Sequence, residues 1–306
     1  MISGSTSTRN PVTTDLERYN GRERPANYVS ICDNFADSYP NGTAHGVQKD
    51  AIQNSMDARK GRKPALVEMG LIASDKGRLF TITDANTTGL TGDVKYVADY
   101  EENLAVDDHW ARFEAFAFTK DDADAIGARG QGKFIFLHAS ADYKMYYDSL
   151  RDDGVYRVGA THATRTGCPI FPGVGEDPWE GTRGAGILKE ATGLSRIDHV
   201  GTRIVVVRPN EELCEALANG EFFRAIQETW FRAIQKNHAV IRLRVGSDAQ
   251  EVSLPAPYPL PTADSRDHKV WRLGKEFTDN EIRLGGGETY RVKNFHAVYL
   301  NRATIP

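Results

Sequence analysis

The chain has 306 residues, of which 40% are hydrophobic and 26% charged, the balance of an ordinary soluble globular protein and not of a disordered, fibrous or membrane chain. A formal net charge of −4 gives no overall attraction for nucleic acid, although a local basic patch is compatible with that balance. The three cysteines, Cys32, Cys168 and Cys214, are scattered and show no CxxC spacing, which excludes a disulfide framework or a zinc ribbon and suits a reducing cytoplasm.

Residues 1–27 begin MISGSTSTRNPV, without the apolar core of a secretory signal, and no run approaches the ~20 apolar residues of a membrane span. A flexible tail and a cytoplasmic protein with no membrane partner are expected. A turn signal at Asn41-Gly42 precedes the proline-free stretch 44–60, in which Val47, Ala51 and Ala58 recur at helical spacing before Gly61 supplies a stop. Strand-like runs at 65–73 and 78–83 flank the turn formers 74–77 and predict a hairpin. The charged stretch between Gly92 and Gly127, with some helix around 110–118, is expected to be a mobile cover.

Residues 133–141 read as a helix, and 143–150 with 156–160 as a second hairpin around Asp152-Asp153-Gly154. The Gly- and Pro-rich stretch 166–186 reads as an excursion loop. The strand-like GTRIVVVRP from Gly201 is followed by one long helix pattern, 211–236, and a strand, 238–245. A proline-bearing linker, LPAPYPLP, then leads into a β-rich tail, so that residues 28–250 form the main domain and 251–306 the linker and tail.

Four short elements carry chemistry. Asp50, Asn54 and Asp57 stand at i, i+4 and i+7, which a helix gathers on one face. An amide oxygen suits Mg²⁺, and a carboxylate one turn earlier can orient and deprotonate a water. The run 79–83 delivers Asp84 to a strand end before Ala85-Asn86-Thr87-Thr88-Gly89; a carboxylate there can accept an adenine amino group, and glycine lets the backbone approach a ligand. Gly127-Ala-Arg-Gly130-Gln131-Gly132-Lys133 opens the next helix with exposed N–H groups and a cation suited to phosphate. The Thr202 hydroxyl, at the start of GTRIVVV, can bond a base or a water beside Asp84.

In their order, these elements resemble the four motifs of the GHKL (Bergerat-fold) ATPases, the superfamily of gyrase B, MutL, MORC proteins, histidine kinases and the ninety-kilodalton heat-shock chaperones. DAIQNSMDA is similar to the N-box, DANTTGLTG to the adenine-binding motif, GARGQGK to the lid motif and GTRIVVV to the last motif. The NSMDA and GTRI wording leans towards the MutL, MORC and chaperone side, and TTGLTG is similar to bacterial ATP-binding proteins, some of DNA-processing or defence systems.

The resemblance implies a two-layer α/β (α+β) sandwich with a mixed β-sheet, helices on one face and a β-rich tail that begins a transducer region. It implies ATP and Mg²⁺ as cofactors: Asn54 binds the metal, Asp57 supports the site, and Asp84, with Thr88 and Gly89, holds the adenine end. Gly130, Gln131, Gly132 and Lys133 hold phosphates, Thr202 completes the base site, and Asp50 is the catalytic base. The implied activity is slow Mg-dependent ATP hydrolysis that closes a lid over 92–132 and drives a conformational or dimerisation switch, with a homodimer, a protein or DNA as partner.

Hydrolytic members of the chaperone, gyrase and MutL type carry Glu where this chain has Asp50, which leaves a non-hydrolysing ATP switch as the alternative. A P-loop is the rival chemistry, since 127–133 satisfies GxxxxGK, but Phe134 stands where that loop needs Ser or Thr for Mg²⁺.

Overall fold

The computed structural model describes residues 27–39, 42–93, 107–114, 132–172, 176–245, 248–253, 280–283 and 289–292. Most of the expected mobile cover, 94–106 and 115–127, and the loop residues Gly130 and Gln131 lie outside them, while a six-residue helix, His109–Glu114, lies within the described part of the cover.

Two helices come first, α1 (Tyr28–Asp37) and α2 (Gly42–Asp57). Helix α2 begins on Gly42 in the left-handed region (φ 73°) and takes its cap from a distant carboxylate. Glu212 accepts from the Thr43 N–H and the Thr43 hydroxyl, each at 2.6 Å, and an anion at a helix N-terminus contributes about 0.3–1 kcal/mol. The rotation of α2 is set by Gln48, which is fully buried: it accepts from Trp230 Nε1 at 2.8 Å and donates to Thr229 at 3.3 Å. With Val47, Gln48, Ala51 and Ile52 turned inward, Asn54 and Asp57 point away from the core and Asp50 lies half-buried at its edge.

Strands β1 (Ala65–Ser74) and β2 (Gly77–Ala85) form the expected hairpin. After α3 (His109–Glu114) and α4 (Lys133–His138), β3 (Lys144–Leu150) and β4 (Tyr156–His162) form the second. Two short strands, β5 (Ile170–Phe171) and β6 (Trp179–Glu180), precede α5 (Gly181–Thr192) and β7 (Gly201–Val207). The single long helix expected over 211–236 is two, α6 (Glu211–Ala218) and α7 (Glu221–Gln235). Gly220 breaks it, with φ 77°, and Asn219 caps the second helix by accepting from the Glu221 N–H at 2.9 Å. Strands β8 (Ala239–Val245) and β9 (Asp248–Glu251) complete a nine-stranded sheet in the order β5-β4-β3-β7-β2-β1-β8-β9, with β6 also on β4. The sheet is mixed, as expected, because β1 and β8 run parallel while the other pairs are antiparallel.

Alternation along the strands sorts the core into two layers. Phe80, Ile82, Met145, Tyr147, Ile204 and Val206 join the cluster shared with α1–α4, α6 and α7. Phe80 and Phe222 meet there at 5.8 Å, edge to face, and burying one such side chain contributes roughly 1.5–3 kcal/mol. Leu79, Tyr146, Val158 and Val205 face the other way, against Trp179 and Leu188. Helix α5 therefore covers part of the second face, and its first half lies in the stretch 166–186 whose glycines and prolines read as a loop.

The chain divides between Leu254 and Pro255 into two units. In the second, the described residues form one antiparallel pair, β10 (Asn280–Arg283) with β11 (Thr289–Val292). Among the described residues, no helix is long and apolar enough to cross a membrane.

Candidate functional site

Asp84 is the point where three elements meet. Its Oδ1 accepts from the Thr87 hydroxyl at 2.5 Å and from the Thr202 N–H at 2.9 Å, while its Oδ2 accepts from the Ser55 hydroxyl at 3.3 Å. Thr202 thus reaches Asp84 through its main chain, whereas its hydroxyl lies 3.4 Å from Ser149 Oγ. Burial raises the Asp84 pKa, and the bonds from Thr87, Thr202 and Ser55 oppose the rise. The chain approaches so closely here that a Cβ on Gly201 would run into the Asp84 carbonyl oxygen.

The loop after Asp84 is bound to both neighbours. Thr88 donates its N–H to the Ala58 carbonyl at 3.0 Å, which ties the loop to the end of α2, and its hydroxyl donates to the Gly89 carbonyl at 3.0 Å. Gly89 sits at φ 67°, and a Cβ there would lie 2.8 Å from the Leu150 carbonyl oxygen on β3. Only glycine fits that conformation and that contact. Ser149 locks the next residue, accepting from the Leu90 N–H at 2.8 Å and donating to the Gly201 carbonyl at 2.9 Å.

On α2, Asn54 and Asp57 are exposed and Asp50 is half-buried. The Asp50 Oδ2 accepts from the Tyr39 hydroxyl at 2.7 Å. Its pKa is raised, chiefly by burial, against the lowering effects of the Tyr39 bond and of Lys49. Tyr39 reaches it because Gly46 makes room: a Cβ there would lie 2.8 Å from Tyr39 Cδ2 and 2.7 Å from Ile135. Gly132, from the GARGQGK segment, also meets this carboxylate, since a Cβ on it would be 2.9 Å from Asp50 Oδ2. Asp50 of the DAIQNSMDA segment and Gly132 at the end of GQG are therefore neighbours.

Lys133 stands elsewhere than the motif leads one to expect. It is buried, and its ammonium donates to the Glu114 main-chain carbonyl. The Glu114 carboxylate, also buried, accepts from the Tyr147 hydroxyl at 2.8 Å. Sequence reasoning did not single out Ser55, Thr87, Tyr39 or Ser149. Two of these were inside the motifs it quoted, but hydroxyls are common enough that only their convergence on Asp84 distinguishes them.

The donor set fits the two groups that the resemblance implies. A carboxylate offers about four lone-pair sites and Asp84 uses three, one of them at long range, so capacity is left for an amino group. Among the described residues there is no cluster of three or more His, Cys, Asp or Glu that could hold a metal ion. Asn54 is exposed on α2 between Asp50 and Asp57, and its amide oxygen is the hard kind of ligand that Mg²⁺ takes together with phosphate and water.

No protein-family model matches the chain, and no characterised protein matches it in sequence. Among solved structures, the ATPase region of Saccharomyces cerevisiae topoisomerase II bound to ICRF-187 (dexrazoxane) is similar over 67% of this chain and 48% of that one, at 10% identity and a TM-score of 0.40. The chain thus spans about half the length of that structure.

Proposed function

We propose that residues 28–250 form a Mg-dependent ATP-binding domain of the Bergerat type that hydrolyses ATP slowly. The observation that carries this reading is the Asp84 carboxylate, held by donors from α2, the following loop and β7, next to a helix whose outward stripe carries Asp50, Asn54 and Asp57. Four motif-like segments distant in sequence would then act on one ligand.

In this reading Asp84 accepts the adenine amino group, Thr88 and Gly89 shape the loop beside the base, and Thr202 holds Asp84 in place. Asn54 is the protein ligand of Mg²⁺, which when bound neutralises phosphate charge, and Asp57 lies on the same stripe. Gly130, Gln131 and Gly132 offer main-chain N–H groups to the phosphates. Lys133 joins them only if its ammonium leaves Glu114.

Asp50 acts as general base on the attacking water. Burial makes it a stronger base than a solvated aspartate, and Tyr39 orients it. Closure of 92–132 and homodimerisation rest on the motif resemblance alone.

Calorimetric titration with ATP, with and without Mg²⁺, tests the binding, and phosphate release tests the hydrolysis. Saturable, Mg-dependent heat with ATP is expected, and none at millimolar ATP rejects the reading. Asp50→Asn should keep the heat and lose the phosphate release, because an amide cannot take the proton. Binding by the parent with no release above background would favour the non-hydrolysing switch instead.

A further inference from the structure

The turn that leads from α2 into β1 reads Arg59-Lys60-Gly61-Arg62-Lys63, four cations in five residues of a chain whose net charge is −4. Lys60, Arg62 and Lys63 are exposed. Lys60 pairs with Asp152 of the β3–β4 turn, whereas Arg62 and Lys63 make no side-chain ion pair or hydrogen bond among the described residues. A cavity of about 480 Å³ lies between this turn and the loop after Asp84, lined by Lys60, Arg62, Lys63, Asn86, Asp152 and His199.

The topology extends the basic surface. Because β1 and β8 are parallel neighbours, the turns that enter them lie side by side, and the Ala65 N–H donates to the His238 carbonyl at 3.0 Å. That second turn brings exposed Lys236 and His238 to the same end of the sheet.

We propose that this end of the sheet docks the phosphate backbone of double-stranded DNA, through Lys60, Arg62, Lys63 and Lys236. The layout favours a polyanion over a single phosphate. An isolated contact between an exposed cation and an anion contributes little in water, and none of these four cations is buried. A row of cations spread over two turns gains from a ligand that carries charge at short, regular intervals and releases counterions at each contact. The chain as a whole is acidic, so attraction has to come from a local patch such as this one and is steeply dependent on salt. The inference does not depend on the nucleotide reading above, since none of these residues is assigned a role there.

The test is fluorescence anisotropy with the full chain and a short labelled DNA duplex over a salt series. Binding at about 50 mM salt should weaken steeply with salt, each phosphate contact adding roughly 0.9 to the slope of log K against log salt. Arg62→Ala/Lys63→Ala/Lys236→Ala should lower that slope by about 2 to 3 and weaken binding by more than ~10-fold at low salt. Asp152→Asn, which releases Lys60, should tighten binding.

The proposal is overturned if the parent does not bind the duplex at low salt, or if the triple variant binds with the parent's affinity and slope while keeping its melting temperature. It is also overturned if Arg165→Ala/Arg183→Ala/Lys189→Ala, the same loss of charge on other elements, weakens binding equally. Preference for anionic phospholipid vesicles over duplex at equal phosphate concentration would assign the patch to membranes and overturn it as well.

Discussion

The Tyr39 hydroxyl donates to the Asp50 carboxylate at 2.7 Å, so the residue proposed as base is held by a group eleven positions earlier in the chain. The contact depends on Gly46, where any side chain would displace the Tyr39 ring. Glycine inside a helix costs about 1 kcal/mol relative to alanine, and here the close approach of α4 and Tyr39 explains its presence.

Tyr39→Phe should therefore leave ATP affinity unchanged and lower kcat by roughly 10-fold, the rate equivalent of about 1.4 kcal/mol, close to the lower end of the range for a hydrogen bond to a charged group. Losing the donor removes an effect that lowers the Asp50 pKa. The acidic limb of the kcat profile should accordingly move to higher pH. A purely structural role for Tyr39 would lower the melting temperature and leave the profile where it was.

Mg-ATP should raise the melting temperature, and Asn54→Ala should abolish the rise. At ~100 times Kd, a ligand adds about 2.7 kcal/mol, a shift of several degrees at roughly 2 to 4 °C per kcal/mol. Asn54 is exposed on α2, so the variant without ligand should melt like the parent. An equal ligand-induced shift in both proteins would remove Asn54 from the site.

Asp84→Asn should weaken ATP binding and lower stability together. The amide keeps the shape, but its NH₂ cannot accept, and the Thr87 hydroxyl and the Thr202 N–H point donors at this group, while Ser55 shares its single proton between the Ala51 carbonyl at 2.9 Å and Asp84 at 3.3 Å. Leaving one buried donor unmet costs about 1–3 kcal/mol. The parent should prefer ATP to GTP, whose ring offers a carbonyl where adenine offers an amino group, and equal affinities in a competition titration would show that Asp84 does not read the base.

Periodicity made the two hairpins and the α2 helix legible, because apolar spacing there is clean and the turns carry Gly and Asp. It failed where local composition and tertiary context disagreed. Helix α5 is hidden by Gly181, Gly184 and Gly186, and Gly184 is there because a side chain would collide with the Trp179 carbonyl. The pattern of 211–236 ran across Asn219-Gly220 because both helices turn apolar residues to the same core. In the candidate site, Asp50, Asn54 and Asp84 are picked out through the motif resemblance, because their type and spacing alone equally suit a solvated helix face and a capped turn. The hydroxyls around Asp84 and the position of Lys133 depend on contacts between residues far apart in the chain, which no local pattern records.

The last prediction concerns Glu114, which burial pushes up to about 7 from the usual 4.5, against the lowering effects of the Tyr147 bond and of Lys133. Between these values the folded protein holds a proton that the unfolded chain has released, so stability should fall as pH rises from about 4.5 to 7 and change no further through this group above that. At 1.36 kcal/mol per unit, the whole cost is about 3 kcal/mol at pH 8. Glu114→Gln removes the ionisation yet keeps an oxygen for the Tyr147 hydroxyl, and Lys133 keeps its hydrogen bond because that contact is with the main chain. Chemical denaturation of parent and variant between pH 4.5 and 8 should give curves that meet at the acidic end and diverge towards neutrality, with the variant more stable. Lys133→Met should move the parent's fall in stability to higher pH, since the cation that favours ionised Glu114 is gone. Curves for parent and Glu114→Gln that stay parallel over the whole range would mean that Glu114 does not titrate in this window.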